Sequence, residues 1–249
     1  MLYQEAESLL CDIYQTEAAC IFGSGYLTNI GVIPQIIGPQ DVVIFDKLCH
    51  SCIIEGILLS KAKYIPFKHN DISHLQKILM RHRSKYKNCL IITEGIFSMD
   101  GDKAKMAEIA LLAKEFRSIT MVDNAHSIGL NTMAISDDYG GYGGYGGCDG
   151  LGNSDNHIQM GTLSKAVGAY GGYICAKTEI VEYIKQKAKS LMFSTALPYP
   201  VLTAIIEGLK FIKGNRSILE KVPLETAQKK GQLYAYKHYG FWKCMDTKR

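Results

Sequence analysis

From residue 19 to about residue 213 the sequence alternates short apolar runs with stretches of helical spacing, and that alternation leaves few folds open. The apolar runs are Ala19–Phe22, Val42–Phe45, Tyr64–Phe67, Cys89–Thr93, Ile119–Val122, Ile158–Gly161 and Gly172–Ala176. Their length and content suit buried strands. Between them, Ile72–Arg81 carries Leu75, Ile78 and Leu79 at helical spacing, and Met106–Phe116 carries Ile109, Leu111, Leu112 and Phe116. Strands alternating with helices predict an α/β fold with a largely parallel sheet. In such sheets ligands collect at the carboxyl ends of the strands, so the polar residues just after each apolar run are the candidates for chemistry.

Composition removes several function classes. Hydrophobic residues make up 47% of the 249 and charged residues 21%, which excludes general disorder. The net charge of +4 is scattered, and the small cluster of Arg81, Arg83, Lys85 and Lys87 reads as a solvated helix end, so no nucleic-acid partner is expected. No apolar run approaches the ~18–20 residues that span a bilayer. The opening MLYQEAESLLCDIYQ lacks the basic start of a secretory signal. A cytoplasmic protein without membrane attachment is the expectation. Eight cysteines spread along the chain read as reduced thiols. Cys49 and Cys52 form a C-x-x-C, but no second pair follows at zinc spacing, so no metal site is expected.

One segment breaks the alternation. Residues 136–157 are almost pure turn-formers, and the run at 140–147 repeats Gly and Tyr. Gly141, Gly143 and Gly146 match a dinucleotide fingerprint in form only, since no apolar strand precedes them and no helix follows. A flexible surface loop is predicted there. Composition shifts again near Gly214, and no complete strand–helix unit follows.

Lys165 follows an apolar run and stands among small and apolar residues, after Thr162 and Ser164 and before Gly168, Gly171 and Gly172. Desolvation makes a lysine amine nucleophilic, the setting a Schiff-base lysine needs, and the adjacent hydroxyls suit a phosphate. Asp123 ends the run Ile119–Val122, where a carboxylate must find a partner: a protonated ring nitrogen is one answer, a helix N-cap another. His126 lies three residues on. Phe22-Gly23-Ser24-Gly25-Tyr26 reads as strand, glycine turn and helix start, either a phosphate cradle or a plain turn. His50 follows another apolar run, placed to stack on a flat ligand or to serve structure alone.

Together these pieces carry a resemblance. Residues 3–213 resemble the α-oxoamine synthases, a branch of the fold-type I enzymes that use pyridoxal 5′-phosphate (PLP). The matching runs are FGSGYLTN, DKLCHSCIIEG, HND, TEGIFSMDGD, VDNAHSIG, MGTLSKAVGAYGGY and MFSTALP. FSMDGD and FSTALP are most similar to the biotin-pathway members, the 8-amino-7-oxononanoate synthases. Glycine C-acetyltransferase, 5-aminolevulinate synthase and serine palmitoyltransferase-like enzymes remain alternatives. The resemblance implies that Lys165 forms the covalent link to PLP and moves the substrate proton. Asp123 would pair with the pyridine nitrogen, His126 would contact the phenolic oxygen, and His50 would stack on the ring. The Gly25 and Tyr26 amides would hold the phosphate, with Thr162 and Ser164 nearby, and Ser98 and Glu94 would line the pocket. Thr195 would reach the phosphate of a neighbouring subunit, which implies a homodimer. The implied activity is a C-acyltransferase, condensing an amino acid (alanine first) with an acyl-CoA or acyl-carrier-protein thioester, with decarboxylation to an aminoketone.

The sequence departs from the family in places. The match begins at Leu2-Tyr3-Gln4 and stops near Ile212, so the family's N-terminal segment and small C-terminal domain are expected to be missing. A truncated, inactive remnant that at most binds PLP is therefore a competing expectation. The Gly-Gly-Tyr stretch replaces a usual GRG loop, Cys49 stands where asparagine is common, and Asn124 replaces a usual acid. The expected organisation is a large domain over residues 1–213 and an unrelated tail over 214–249. Residues 218–249 resemble the late part of a glucose-1-phosphate cytidylyltransferase, with Asp246 at a metal-binding acid of that family, which would make the chain a fusion of two fragments.

Overall fold

A computed structural model describes residues 1–129, 157–214, 222–234, 239 and 240. The predicted Gly-Gly-Tyr loop and Asp246 lie outside the described residues. The elements run α1 (Leu2–Tyr14), β1 (Ala18–Phe22), α2 (Gly25–Ile36), β2 (Val42–Asp46), α3 (Ser51–Ser60), β3 (Lys63–Phe67), α4 (Ile72–His82), β4 (Cys89–Glu94), α5 (Met106–Glu115) and β5 (Ile119–Asp123). They continue with β6 (His157–Thr162), β7 (Gly172–Ala176), α6 (Thr178–Lys187), α7 (Lys189–Met192), α8 (Tyr199–Gly214) and α9 (Val222–Lys229). The strands form a seven-stranded sheet in the order β1-β7-β6-β5-β4-β2-β3. β3, β2, β4, β5 and β6 are mutually parallel, and β7 runs antiparallel to both β6 and β1. This is the expected α/β fold: a mostly parallel mixed sheet flanked by helices.

The period-two alternation of each strand divides its side chains between two faces. Val43, Phe45, Leu90, Ile92, Met121 and Met160 join one core with α2, α3 and α6. Val42, Ile44, Cys89, Ile91 and Val122 join another with α4 and α5. Ala19, Ile21, Tyr173 and Cys175 pack under α1 and α8 on that second face. A fully buried aliphatic side chain contributes about 1.5–3 kcal/mol, so a strand apolar on both faces is held from both sides. The same alternation carries Glu94, Asp123 and Thr162, two positions beyond Ile92, Met121 and Met160, onto the α2/α3 face.

Two glycines let α2 seat its first turn on the sheet. A Cβ on Gly172 would come within 2.6 Å of the Ser24 carbonyl and collide with Thr28, and one on Gly25 would crowd Thr162 at 3.2 Å. Ser24 caps the helix by accepting from the Leu27 amide at 3.1 Å.

Candidate active site

The carboxyl ends of β4, β5 and β6 and the starts of α2 and α3 enclose a cavity of about 280 Å³. Its walls include Gly25, Tyr26, His50, Glu94, Asp123, His126, Thr162, Ser164 and Lys165. Nine of the residues singled out from the sequence thus stand around one space, although they span more than half the chain.

Two carboxylates form the floor. Glu94 and Asp123 are register partners at the ends of adjacent strands, and both are buried. Glu94 accepts from the His50 amide at 2.6 Å and from the Ser98 amide. Burial first, and the Asp123 charge second, push its pKa from 4.5 up to about 8. Asp123 accepts from Asn29 Nδ2 at 3.0 Å and from the Ala125 amide at 2.9 Å. A turn, not a helix, follows it over residues 125–129, so within the described residues it caps no helix.

The opposite wall presents groups suited to an anion. The first-turn amides of a helix lack intrahelical acceptors and lie at its positive end, which describes Gly25 and Tyr26. Thr162 and Ser164, whose hydroxyls are 2.8 Å apart, stand beside them. Tyr26 itself turns outward and donates to Glu55 at 2.7 Å.

Lys165 departs from expectation. Its small and apolar neighbours predict a buried amine, but the side chain is exposed at the rim. Residues 163–171 form a turn closed by Ala169 N–H to Leu163 O at 2.9 Å and Gly168 N–H to Lys165 O at 2.9 Å. The turn buries Leu163 and Val167 and directs the intervening residues outward. The amine is instead held by His126, with Nζ 2.6 Å from Nε2. Ser98 is a second correction. It is not in the cavity wall, because the chain after Glu94 turns away to pair Ile96 with Lys103, and only its amide reaches Glu94. Thr195 is exposed and lines a separate cavity with Tyr3, Ser190 and Ser194.

Sequence reasoning reads Ser24 only as part of a glycine turn and gives Cys52 only the weight of a C-x-x-C; both line the cavity. Asn29 enters the sequence reading only as the end of the run FGSGYLTN; it is buried beside Thr28, directly before the apolar Ile30-Gly31-Val32-Ile33 of α2, and a polar residue buried there is the signal that would have found it. The described cysteines, Cys49 and Cys52 among them, are free.

A family model described as aminotransferase class I and II matches residues 2–223. The 8-amino-7-oxononanoate synthase of Methylocella silvestris is 38% identical over 227 residues, covering 91% of this chain and 62% of that protein. Its counterpart from Granulibacter bethesdensis is 40% identical, over 91% of this chain and 56% of that protein. Among solved structures, a serine palmitoyltransferase from S. paucimobilis with a bound PLP–myriocin adduct superposes with a TM-score of 0.76 at 29% identity, covering 85% of this chain and 51% of that one. An 8-amino-7-oxononanoate synthase from Francisella tularensis gives 0.71 at 26% identity, covering 92% and 66%. The chain spans little more than half the length of the curated relatives it matches.

Proposed function

The chain belongs to the aminotransferase class I and II family, and from that premise we propose that it carries the PLP site of an α-oxoamine synthase of the 8-amino-7-oxononanoate synthase type. The observation that carries this reading is the donor set of a single cavity: an amine, a buried carboxylate and an anion-receptive helix start. These match, part for part, an aldehyde, a protonated ring nitrogen and a phosphate. The cradle at Gly25, which a Cβ would crowd against Thr162, supports the phosphate end.

In this reading the Gly25 and Tyr26 amides and the Thr162 and Ser164 hydroxyls hold the phosphate. Asp123 keeps a proton on the ring nitrogen through charge pairing, and Asn29 orients that carboxylate. His50, in the cavity wall, would stack on the ring. When bound, PLP supplies an electron sink for charge developing on the amino-acid carbon. Lys165 takes and returns the proton at that carbon, with His126 Nε2 2.6 Å away to steady the amine and share its proton. The overall reaction condenses an amino acid, alanine in this reading, with an acyl-CoA or acyl-carrier-protein thioester. Carbon dioxide and the free thiol leave, and an aminoketone remains. The cavity unit is assigned to residues 1–213, with 214–249 a separate tail, and the exposed Thr195 is assigned to a partner subunit's phosphate in a homodimer. The free thiols among the described residues suit a reducing, cytoplasmic setting, and no helix among those residues is long and apolar enough to cross a membrane.

Borohydride reduction after incubation with PLP tests the assignment. A peptide containing Lys165 should carry the cofactor, and Lys165→Ala should abolish covalent labelling. A label on another lysine, or no label, overturns it.

A further inference from the structure

On the reading above His50 faces the cofactor ring, so the position of its single imidazole proton decides what it can donate to a bound substrate. We infer that Cys52 and Asn29 fix His50 as the Nε2–H tautomer, so that Cys52 is a positioning residue in a hydrogen-bonded chain from the Asp123 carboxylate to the His50 ring. The atoms set the direction of each link. Asn29 Nδ2 lies 3.0 Å from Asp123 Oδ2 and 3.1 Å from Cys52 Sγ, so its two N–H groups serve both. An amide nitrogen accepts no hydrogen bond, so the sulfur is the acceptor there and its own proton is free to be donated. Cys52 Sγ lies 2.9 Å from His50 Nδ1, and the Cys52 amide approaches the same nitrogen at 3.3 Å. Burial, with the Asp123 charge behind it, pushes the Cys52 thiol up to about 12, so it stays protonated at neutral pH. Two donors therefore converge on Nδ1. That nitrogen must present its lone pair, and a neutral ring then carries its proton on Nε2.

The fold builds this chain deliberately tight. Asn29 and Cys52 are both buried, where α2 crosses the start of α3. The crossing is close because residue 56 is glycine: a Cβ there would lie 2.8 Å from the Asn29 carbonyl. The backbone of His50 is pinned independently, its amide donating to Glu94 at 2.6 Å. Asp123 thus holds the ring-nitrogen end of the site while the same network sets the ring that covers it.

The test reads the tautomer on the 249-residue chain labelled with ¹⁵N-histidine, without added PLP, by long-range ¹H–¹⁵N spectra assigned with His50→Gln. His50 should show a bare Nδ1 and a protonated Nε2. Cys52→Ser, which keeps a donor, should preserve that pattern. Cys52→Ala should shift the tautomer ratio toward Nδ1–H by about five-fold, the loss of one ordinary hydrogen bond. If Cys52→Ala does not fold, Cys52→Val fills the space without a donor and gives the same reading. A wild-type ring protonated on Nδ1, or a ratio unchanged in the variants that lack a side-chain donor at position 52, overturns the inference. Because no PLP is present, failure here leaves the Lys165 labelling result intact, and failed labelling leaves the tautomer result intact.

Discussion

Two pairs of carboxylates stand near the same edge of the sheet, and the chain treats them in opposite ways. Asp46 ends β2 and Asp102 lies beyond β4, with His69 between them: Nδ1 is 3.1 Å from Asp46 and Nε2 is 2.9 Å from Asp102. Asp46 also accepts from the Leu48 and Asn70 amides, each at 2.9 Å. Burial pushes the His69 pKa down, but the two carboxylates outweigh it and the net shift is up. Glu94 and Asp123 are register partners on adjacent strands, yet among the described residues neither forms an ion pair; they accept only from amides. Lys165 lowers the Glu94 pKa, but less than burial and Asp123 raise it. A cluster whose charges close on themselves holds loops together. The Glu94–Asp123 pair meets no cationic side chain at bonding distance among the described residues, and at the floor of a cavity its Asp123 carboxylate suits a cationic ligand group.

Glu94 should give the largest effect. Its folded pKa of about 8 lies above the ordinary 4.5, so the folded state holds the extra proton and stability falls as pH rises through that interval. Glu94→Gln keeps an acceptor for the His50 and Ser98 amides and removes the charge. At pH 8 the cofactor-free variant should be more stable than wild type by on the order of 2–4 kcal/mol, at about 1.4 kcal/mol per pKa unit, and near pH 5 the two should converge. Urea unfolding at both pH values checks this; parallel curves would erase the contrast between the pairs.

Asp46 should behave in the opposite sense. Asp46→Asn removes the charged partner of His69 and should cost about 1.5–3 kcal/mol. A raised histidine contributes its stability below the ordinary value of 6.5 and loses it as pH climbs through the folded value. The cost should therefore shrink at alkaline pH, as thermal unfolding across a pH series would show. A cost that grows with pH would mean that His69 is not the cation of this pair.

Most strands were legible because a strand buried on both faces is a nearly continuous apolar run, but Tyr64–Phe67, read as buried, forms β3 at the sheet edge, where Lys63, Tyr64 and Pro66 are exposed and Phe67 is the one buried side chain. The runs, however, end at Phe45, Thr93, Val122 and Gly161, whereas the ladders of β2, β4, β5 and β6 continue to Asp46, Glu94, Asp123 and Thr162. Those polar residues are both the last residue of their strand and, at three of the four, a wall of the cavity, so the polarity that closes the apolar pattern marks the site. Lys165 was found by its neighbours but misjudged in burial, since small residues allow a turn as readily as a pocket. Asn29 and Cys52 carry no pairwise signal in the sequence. They lie 23 positions apart and meet only because Gly56 lets two helices cross closely. His69 and Asp102, 33 positions apart, meet for a similarly non-local reason.

The contrast between the pairs is tested most directly by PLP affinity, measured by absorbance titration of Asp123→Asn and Asp102→Asn at one pH where both are folded. Asp123→Asn should bind at least about tenfold more weakly than wild type, a loss of about 1.4 kcal/mol, while Asp102→Asn should change affinity less than about twofold. Equal losses in the two variants, or a larger loss in Asp102→Asn, would contradict the assignment of the Glu94–Asp123 pair to the ligand.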